Sequence, residues 1–220
     1  MKKQKIAIVA PAYNEEKHLS KFLDAAVKTG HPLYLVDDGS TDSTSKLASK
    51  HKVKYLKHKV NLGKGAAMKT GAEAAFADGN DAVIFMDTDG QHKFEDLPKF
   101  IKALKDYDIV LGSRNMSYGV PLVRYLGNKL ASLLISFLFG VYVSDLLCGY
   151  KGLTKKAYKK VRWESAGYAV ETEMVIRSAK ARLKRCEVPV ATVYLDEFKG
   201  VSMMDAMGIF WEILKWRVKV

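Results

Sequence analysis

Residues 82–92 read Ala-Val-Ile-Phe-Met-Asp-Thr-Asp-Gly-Gln-His, a short apolar run that ends in two carboxylates. A continuous apolar run of this length, bounded by turn-forming residues, is typical of a buried strand. In an extended chain residues i and i+2 point to the same side, so Asp87 and Asp89 can face one cation. Mg²⁺ and Mn²⁺ prefer such oxygen ligands, often together with substrate phosphates. The pattern predicts a metal site, with a capped turn as the alternative, because Asp-x-Asp is common by chance.

Similar apolar runs alternate with helical patterns along the first half of the chain. Predicted strands cover residues 6–10, 33–36, 53–57, 82–86 and 109–111, and predicted helices lie near residues 19–27, 40–50, 65–77 and 94–105. Ser40, Thr41 and Asp42 are candidate N-caps of the second helix. This alternation predicts an α/β, Rossmann-like domain with a mostly parallel central sheet and helices on both faces.

A polar motif follows each predicted strand. The motifs are residues 13–15 (Tyr-Asn-Glu), 37–40 (Asp-Asp-Gly-Ser), 61–65 (Asn-Leu-Gly-Lys-Gly), 87–89 (Asp-Thr-Asp) and 112–114 (Gly-Ser-Arg). Ligands of open α/β sheets bind beyond the carboxyl ends of the strands. The order of the motifs therefore predicts one ligand site along one sheet edge.

Several of these residues suit a nucleotide with a diphosphate. The Asp38 carboxylate can accept hydrogen bonds from a nucleobase or ribose, whereas residues 40–44 are more simply a helix cap. Lys64 lies between two glycines that permit close approach of a phosphate, or that form only a flexible turn. Arg114 could clamp a diphosphate, although most surface arginines do not. His92 is either a ligand or a hydrogen-bonded structural residue.

The second half is less regular. The pattern predicts one or two helices over residues 121–143, a helix over 171–183, a strand over 186–194 and a final helix over 203–220. The length of 220 residues fits one domain covering residues 1–220.

The formal net charge of +12 suggests an anionic partner. Nucleic acid, an acidic membrane surface and a phosphorylated substrate all qualify. The chain has no zinc module or RNA-recognition signature, so we expect no nucleic-acid partner. Cys148 and Cys186 form no CxxC pair, and a reducing, cytoplasmic compartment fits them.

Two segments have the composition of helices that lie in a membrane interface. The longest uncharged run, residues 130–143, is shorter than the ~18–20 residues that span a bilayer. The last predicted helix combines Trp211 and Trp216 with basic residues, which suits an interface. We expect peripheral association with the cytoplasmic face of a membrane. The alternatives are that these helices cover the sheet or form a homodimer contact.

Taken together, the motifs resemble those of family 2 glycosyltransferases with a GT-A fold. The nearest branch is that of dolichyl-phosphate mannose synthases and related polyprenyl-phosphate glucosyltransferases. The matching segments are residues 11–16, 36–42, 61–65, 86–92 and 112–114, and a chance match to all five is very rare. The resemblance implies a single GT-A domain in which residues 1–115 bind the sugar nucleotide and residues 116–220 bind the acceptor.

The same resemblance implies roles for individual residues. The nucleoside would be held by Pro11, Tyr13, Glu15, Val36 and Asp38. The metal, Mg²⁺ or Mn²⁺, would be held on the diphosphate by Asp87, Asp89 and Gln91, with Thr88 lining the same pocket and with Lys64 and Arg114 contacting the phosphates or sugar. Asp89 and Asp145 would be the catalytic residues.

The second half matches the polyprenyl-phosphate branch more loosely, through residues 145–151 (Asp-Leu-Leu-Cys-Gly-Tyr-Lys), 171–174 and 187–190. That branch tends to carry an Arg-x-x-Gly-x-Ser-Lys segment late in the domain. Here Glu197 and Met203 stand at its two cationic positions. Lys199 could substitute for them from a shifted position.

The implied reaction is inverting, metal-dependent transfer of a hexose from GDP-mannose or UDP-glucose to a polyprenyl or dolichyl phosphate. The nearest match slightly favours GDP-mannose. A phosphate acceptor is mostly ionised at pH 7, whereas a saccharide hydroxyl would need a base, for which Asp145 and Glu173 are the candidates. A nucleotidyltransferase is the alternative of another class, although its glycine-rich basic loop is missing after Pro11.

Overall fold

A computed structural model describes residues 4–114, 122–191 and 203–219. Within these ranges the chain forms seven strands and eight α-helices. Their order is β1 (Ile6–Ala12), α1 (Glu16–Lys28), β2 (Leu33–Asp37), α2 (Thr44–Ala48), β3 (Lys54–Lys57), α3 (Lys64–Ala77), β4 (Ala82–Phe85), α4 (Leu97–Ala103), β5 (Ile109–Arg114), α5 (Leu122–Phe139), β6 (Lys151–Thr154), α6 (Lys155–Val161), α7 (Val170–Lys180), β7 (Arg185–Val190) and α8 (Met203–Lys219).

The seven strands of the described ranges form one sheet with the order β3-β2-β1-β4-β6-β5-β7. β1 is parallel to β2 and β4, β3 is parallel to β2, and β7 is parallel to β5. β6 runs antiparallel to both of its neighbours, β4 and β5. The mostly parallel sheet is confirmed, and β6 is an antiparallel insertion that the sequence pattern did not predict.

Helices cover both faces because successive residues of β1 point into two different cores. Ala7 and Val9 belong to a cluster that includes residues of α3, α5, α6, α7 and α8. Ile6, Ile8 and Ala10 belong to a second cluster with residues of α1 and α4. These five side chains are at most 3% exposed, so β1 is buried on both faces, as its unbroken apolar sequence predicts.

The helix after β2 begins later than predicted. α2 starts at Thr44, and its N-cap Ser43 makes no side-chain cap hydrogen bond. Ser40 Oγ accepts the N–H of Asn14 at 3.0 Å, and the N–H of Thr41 donates to Asn14 Oδ1 at 2.9 Å. The prediction that Ser40 and Thr41 cap the helix is therefore wrong. They join the loop after β2 to the loop after β1, because these parallel strands are neighbours.

Asp42, the third predicted cap, does contact the helix. Its Oδ1 accepts the N–H of Thr44, the first residue of α2, at 2.9 Å. Its Oδ2 accepts the N–H of Glu16 at 3.1 Å. Asp42 therefore links the starts of α1 and α2.

The second half contains two elements that the sequence pattern did not predict, β6 and α6. β6 is only four residues long, too short for a periodic pattern. α6 follows it directly, and Thr154 Oγ1 accepts the N–H of Ala157 at 3.1 Å as its N-cap. α5 is one helix, after which Gly140 adopts a φ of 67°. Residues 192–194 of the predicted last strand lie outside the described residues.

β6 brings the second half of the chain to the predicted site. Its first residue, Lys151, pairs with Phe85 at the carboxyl end of β4 and with Leu111 of β5. Residues 145–150 therefore reach the same sheet edge as Asp87. The sheet takes strands from both halves of the chain, and the functional division at residue 115 stays a prediction.

Candidate active site

Asp87 follows β4 and forms an ion pair with Lys64 at the start of α3. Lys64 Nζ is 2.7 Å from Asp87 Oδ1 and 2.7 Å from Glu171 Oε1. Glu171, the second residue of α7, is 3% exposed. Burial alone would lower the pKa of Lys64, but the two carboxylates outweigh burial and hold that pKa well above its usual range. One ammonium therefore links two carboxylates that are distant in sequence.

Gly149 confines the Asp87 carboxylate from the other side. A Cβ at residue 149 would overlap Asp87 Oδ2 and lie 2.8 Å from Asp87 Cγ. The two residues meet because antiparallel β6 pairs Lys151 with Phe85. A side chain at residue 149 would therefore displace Asp87, which explains the glycine at this point of residues 145–151.

The glycine-rich loop of residues 61–65 is fixed by the backbone that precedes α7. The N–H of Ala66 donates to Ala166 O at 3.1 Å, and Trp163 Nε1 donates to Gly65 O at 2.8 Å. A Cβ at Gly65 would lie 2.9 Å from Ala166 O. The loop is therefore packed rather than flexible, and this packing fixes the start of the Lys64 side chain.

Asp38, which directly follows β2, holds the same loop. Its Oδ1 accepts the N–H of Leu62 at 2.9 Å, and its Oδ2 accepts the N–H of Gly63 at 2.7 Å. His58 Nδ1 lies 2.6 Å from Asp38 Oδ1. Gly63 has a φ of 97°, a conformation that favours glycine. Asp38 thus positions the loop that carries Lys64, and its contact with a nucleoside stays a prediction.

The end of β1 lies beside residues 87–89, as the order of the motifs predicts. Thr88 Oγ1 donates to Pro11 O at 3.1 Å. Tyr13 is 45% exposed and Glu15 is half-buried at the start of α1. The structure therefore brings Pro11, Tyr13 and Glu15 to the edge that also carries Thr88.

Two residues at the end of β2 point into the fold instead. Val36 is fully buried, and a Cβ at Gly71 of α3 would lie 3.0 Å from Val36 Cγ2. Asp37 is also fully buried and accepts hydrogen bonds from Ser40 N at 2.8 Å and Tyr55 Oη at 2.6 Å. The Val36 side chain therefore packs on α3, away from the open edge, and its expected contact with the nucleoside stays a prediction.

The chain turns sharply after Asp87. Asp89 Oδ1 accepts the N–H of Gln91 at 3.0 Å, and His92 Nδ1 accepts the N–H of Asp87 at 3.2 Å. The His92 ring stacks on Tyr150, with 5.1 Å between ring centroids. Burial lowers the pKa of His92, which favours the neutral ring that this accepting nitrogen requires. His92 is thus a structural residue that fixes the turn around Asp87 and Asp89.

The two carboxylates of this turn differ in their electrostatics. Burial alone would raise the pKa of Asp87, but the charge of Lys64, with a smaller contribution from Arg114, holds it below its usual range. Burial and the negative charge of Asp87 raise the pKa of Asp89. A cation between two carboxylates relieves this kind of repulsion, so the pair favours a bound cation.

Arg114 and Asp145 form a bidentate ion pair next to this turn. Arg114 Nε donates to Asp145 Oδ2 at 2.6 Å, and Arg114 Nη2 donates to Oδ1 at 2.9 Å. Asp145 is 1% exposed. The charge of Arg114 also contributes to the lowered pKa of Asp87. Both carboxylate oxygens of Asp145 thus accept hydrogen bonds from the guanidinium, and its expected role in catalysis stays a prediction.

Glu173, the other candidate base, is a structural residue. Its carboxylate accepts the N–H groups of Glu164 and Ser165 at 3.0 and 2.8 Å and the Nε–H of Arg177 at 2.5 Å. It fixes the segment that packs on the glycine-rich loop. The glutamate that faces the site is Glu171, which the sequence analysis did not single out. Residues two apart on a helix do not lie on the same face. The Glu-x-Glu pattern therefore indicates that only one of Glu171 and Glu173 can face the site.

A family model described as Glycosyl transferase family 2 matches residues 7–162. The chain belongs to this family. It is a glycosyltransferase, as the motifs at the strand ends predicted.

Relatives match this glycosyltransferase over nearly its whole length. The UDP-N-acetylglucosamine–dolichyl-phosphate N-acetylglucosaminyltransferase of Methanococcus voltae is 30% identical, over 95% of this chain and 94% of that protein. The polyprenol monophosphomannose synthase of Mycolicibacterium smegmatis is 26% identical, over 98% of this chain and 88% of that protein.

The fold matches that of a solved glycosyltransferase. Glucosyl-3-phosphoglycerate synthase of Mycobacterium tuberculosis, in complex with Mn²⁺, UDP and phosphoglyceric acid, superposes with a TM-score of 0.77. The identity is 18%, over 99% of this chain and 79% of that one. The GT-A fold that the resemblance implied is confirmed.

The residues around Asp87 fit a hard divalent cation. Asp87 already binds the ammonium of Lys64. Asp89 adds a second carboxylate, whose negative charge is disfavoured by burial and by the charge of Asp87, so its pKa is raised. In residues 4–114, 122–191 and 203–219, no cluster of three or more His, Cys, Asp or Glu side chains is arranged to hold a metal. Mg²⁺ is commonly bound by one or two carboxylates together with substrate phosphates and water, which this site can provide.

The late segment with Glu197 and Lys199 lies outside the described residues. Met203 is the first residue of α8. The expected role of Lys199 in binding substrate therefore stays a prediction.

Lys151, the last residue of the 145–151 segment, is a fully buried charge. It is 0% exposed, and Nζ donates to Leu146 O at 3.3 Å. Burial lowers the pKa of Lys151, and the nearby carboxylates of Glu171 and Asp145 offset this effect only in part. Among the described residues Lys151 makes no ion pair within 4.0 Å, so the glycosyltransferase keeps this charge at a cost in stability.

Replacing Lys151 by methionine is therefore expected to stabilise the protein. Lys151→Met should raise the free energy of unfolding at pH 7 by about 1–3 kcal/mol, because it removes a buried ammonium that makes one hydrogen bond, to Leu146 O. Because the folded pKa of Lys151 lies below the unfolded value of about 10.4, the wild type gains stability as pH rises through this window. The advantage of the variant should shrink there. Urea unfolding followed by circular dichroism at several pH values measures both effects.

Lys155 provides the matched control for this experiment. Its Nζ also donates to a backbone carbonyl, Phe76 O at 2.8 Å, but the residue is exposed. Lys155→Met should change the free energy of unfolding by no more than about 0.5 kcal/mol. Equal effects of the two substitutions would contradict a desolvation cost at Lys151.

Proposed function

We propose that this family 2 glycosyltransferase transfers a hexose from GDP-mannose or UDP-glucose to a polyprenyl or dolichyl phosphate, with inversion and with a bound Mg²⁺ or Mn²⁺. The observation that carries the proposal is the group of charges at the end of β4. Asp87 and Asp89 lie together with the cationic side chains of Lys64 and Arg114. Paired carboxylates beside two cations suit a metal-bound diphosphate.

On the donor side, Asp87, Asp89 and Gln91 would hold the metal. When bound, the metal neutralises the charge that builds on the departing nucleoside diphosphate. Lys64 and Arg114 would supply positive charge for the same leaving group. Crystal structures of the Mycobacterium tuberculosis synthase contain Mn²⁺ or Mg²⁺ together with UDP, which is consistent with a divalent ion in this fold.

On the acceptor side, the structure favours a nucleophile that is already ionised. A phosphate monoester has a second pKa of about 6 and is mostly ionised at pH 7. Asp145 is held by Arg114, and Glu173 is saturated by backbone and arginine donors. Neither carboxylate is therefore ready to deprotonate a saccharide hydroxyl. The Methanococcus voltae relative is a dolichyl-phosphate N-acetylglucosaminyltransferase and the Mycolicibacterium smegmatis relative is a polyprenol monophosphomannose synthase, which supports a lipid-phosphate acceptor.

Transfer assays test both halves of this proposal. The purified protein, given Mn²⁺, a polyprenyl phosphate and a panel of GDP- and UDP-sugars, should form a glycolipid phosphate and release nucleoside diphosphate. Asp89→Asn should lower the rate by at least about a hundredfold, because a bound metal contributes several kcal/mol to catalysis. Asp106→Asn, at an exposed carboxylate after α4, serves as the control and should leave the rate unchanged.

Two results would contradict the proposal in different ways. Transfer to a soluble saccharide, with none to lipid phosphates, would indicate the alternative of a hydroxyl acceptor. Release of inorganic pyrophosphate from a nucleoside triphosphate would indicate a nucleotidyltransferase.

We also propose that the enzyme associates peripherally with the cytoplasmic face of a membrane. None of the helices in the described ranges is both long and apolar enough to cross a membrane. One face of α5 carries an exposed apolar stripe, which consists of Leu126 (53% exposed), Leu130 (70%), Leu133 (58%) and Phe137 (87%). α8 packs on α5 and exposes Phe210 and Trp211. Such a surface suits an interface between headgroups and acyl chains.

A basic side chain lies next to the α5 stripe. Lys129 of α5 lines the same surface depression as Leu126, Leu130 and Leu133. Each lysine near an anionic membrane surface adds about 1 kcal/mol of attraction. This charge favours a lipid surface over a second copy of the same basic chain.

Vesicle flotation tests this surface. Replacing Leu130 and Phe137 together by glutamate should weaken binding to anionic vesicles by at least about tenfold, because each buried apolar side chain contributes about 1.5–3 kcal/mol. Val27→Glu is the matched control, since Val27 is a 48% exposed apolar residue of α1 on the other face of the sheet. If the wild type is a dimer that does not bind vesicles, and the double variant is a monomer, the stripe is a homodimer contact instead.

A further inference from the structure

The ammonium of Lys64 lies where a cation on Asp87 is expected. Lys64 Nζ is 2.7 Å from Asp87 Oδ1, and Mg²⁺ binds a carboxylate oxygen at about 2.0–2.1 Å. Gly149 closes the other side of the carboxylate, because a Cβ there would overlap Oδ2. Two cations cannot share the remaining approach to Asp87 without strong repulsion. A metal on Asp87 and the present position of Lys64 therefore exclude each other.

Glu171 gives Lys64 a second partner. Lys64 Nζ is also 2.7 Å from Glu171 Oε1, and Glu171 is held at the buried start of α7. Its other oxygen, Oε2, is buried and makes no hydrogen bond within the part of the chain that the structure describes. Lys64 can therefore turn away from Asp87 and keep an ion pair with Glu171.

The backbone of Lys64 does not need to move in this change. Hydrogen bonds from Ala66 to Ala166 and from Trp163 to Gly65 fix the chain on the C-terminal side of Lys64. Asp38 fixes Leu62 and Gly63 on the N-terminal side. Only the long, flexible side chain of Lys64 has to move. Its ammonium then leaves Asp87, and the metal takes its place.

We propose that Lys64 is an exchangeable cation, which neutralises Asp87 while the metal is absent and releases Asp87 when metal and nucleoside diphosphate bind together. The inference rests on the proposed metal-dependent function and concerns the order of binding. Metal alone must displace an ion pair, so it binds weakly. The diphosphate offers the released ammonium a new anion, so metal and nucleotide strengthen each other's binding, and by linkage they do so equally.

Mn²⁺ binding measured without turnover tests the exchange. Electron paramagnetic resonance of free Mn²⁺ gives the affinity of the wild type and of Lys64→Met, with and without GDP or UDP. Without nucleotide, Lys64→Met should bind Mn²⁺ at least about tenfold more tightly than the wild type, which is a typical size for coupling between two sites. Nucleotide should enhance Mn²⁺ binding less in the variant than in the wild type.

Two further variants separate the exchange from a general change in stability. Lys64→Met combined with Glu171→Gln removes one charge of each sign, so Asp87 keeps its charge without a second unpaired carboxylate. This double variant should show the same tightening if Lys64→Met alone folds poorly. Lys99→Met is the control, because Lys99 is paired with Asp96 at 2.6 Å outside the site, and its Mn²⁺ affinity should equal that of the wild type.

The outcomes distinguish the exchange from the function on which it rests. In one outcome, the wild type binds Mn²⁺ in the presence of nucleotide while both Lys64 variants bind Mn²⁺ no more tightly than the wild type. This result would overturn the proposed exchange and leave the metal-dependent function intact. If the wild type binds no Mn²⁺ even with nucleotide, the metal-dependent function fails and the exchange fails with it.

Discussion

The ion pair between Lys64 and Asp87 is the interaction around which the site is assembled. A carboxylate charge that is largely removed from water requires a cation close by. Lys64 can meet Asp87 only because the loop before α3 is held by Asp38 and by the backbone before α7. The carboxylate has room only because Gly149 lacks a side chain. The loop of residues 61–65, the sheet edge and α7 thus all position the ion pair of Lys64 and Asp87.

The antiparallel strand β6 gives this edge its second half. Since β6 lies between β4 and β5, the residues before it reach the end of β4 and bring Gly149, Tyr150 and Asp145 to the candidate active site. The same arrangement leaves Lys151 buried with one hydrogen bond to Leu146. The proposed binding of anionic substrates accounts for the retention of such a charge, although an apolar residue would stabilise the fold more. Function and stability therefore have opposing requirements at this edge.

Much of this arrangement is predictable from the sequence, and the exceptions have physical causes. The buried strands of the first half and the motifs after them are predictable because apolar runs and strand-end polarity are local signals. β6 is not, since four residues that begin with lysine carry no periodic pattern. Asp38 and Asp145 are recognisable from the sequence as candidate site residues, but their partners depend on contacts between distant segments. Glu171 is hidden for the same reason, because only the packing of α7 on the loop shows that it faces Lys64.

A crystal structure of the protein with Mn²⁺ and GDP or UDP tests the account most directly, because anomalous scattering locates the metal without any assumption. We predict an anomalous peak between Asp87, Asp89 and the diphosphate, with Lys64 Nζ released from Asp87 and still paired with Glu171. A metal bound elsewhere, or a metal at Asp87 with Lys64 still in contact with that carboxylate, would contradict it.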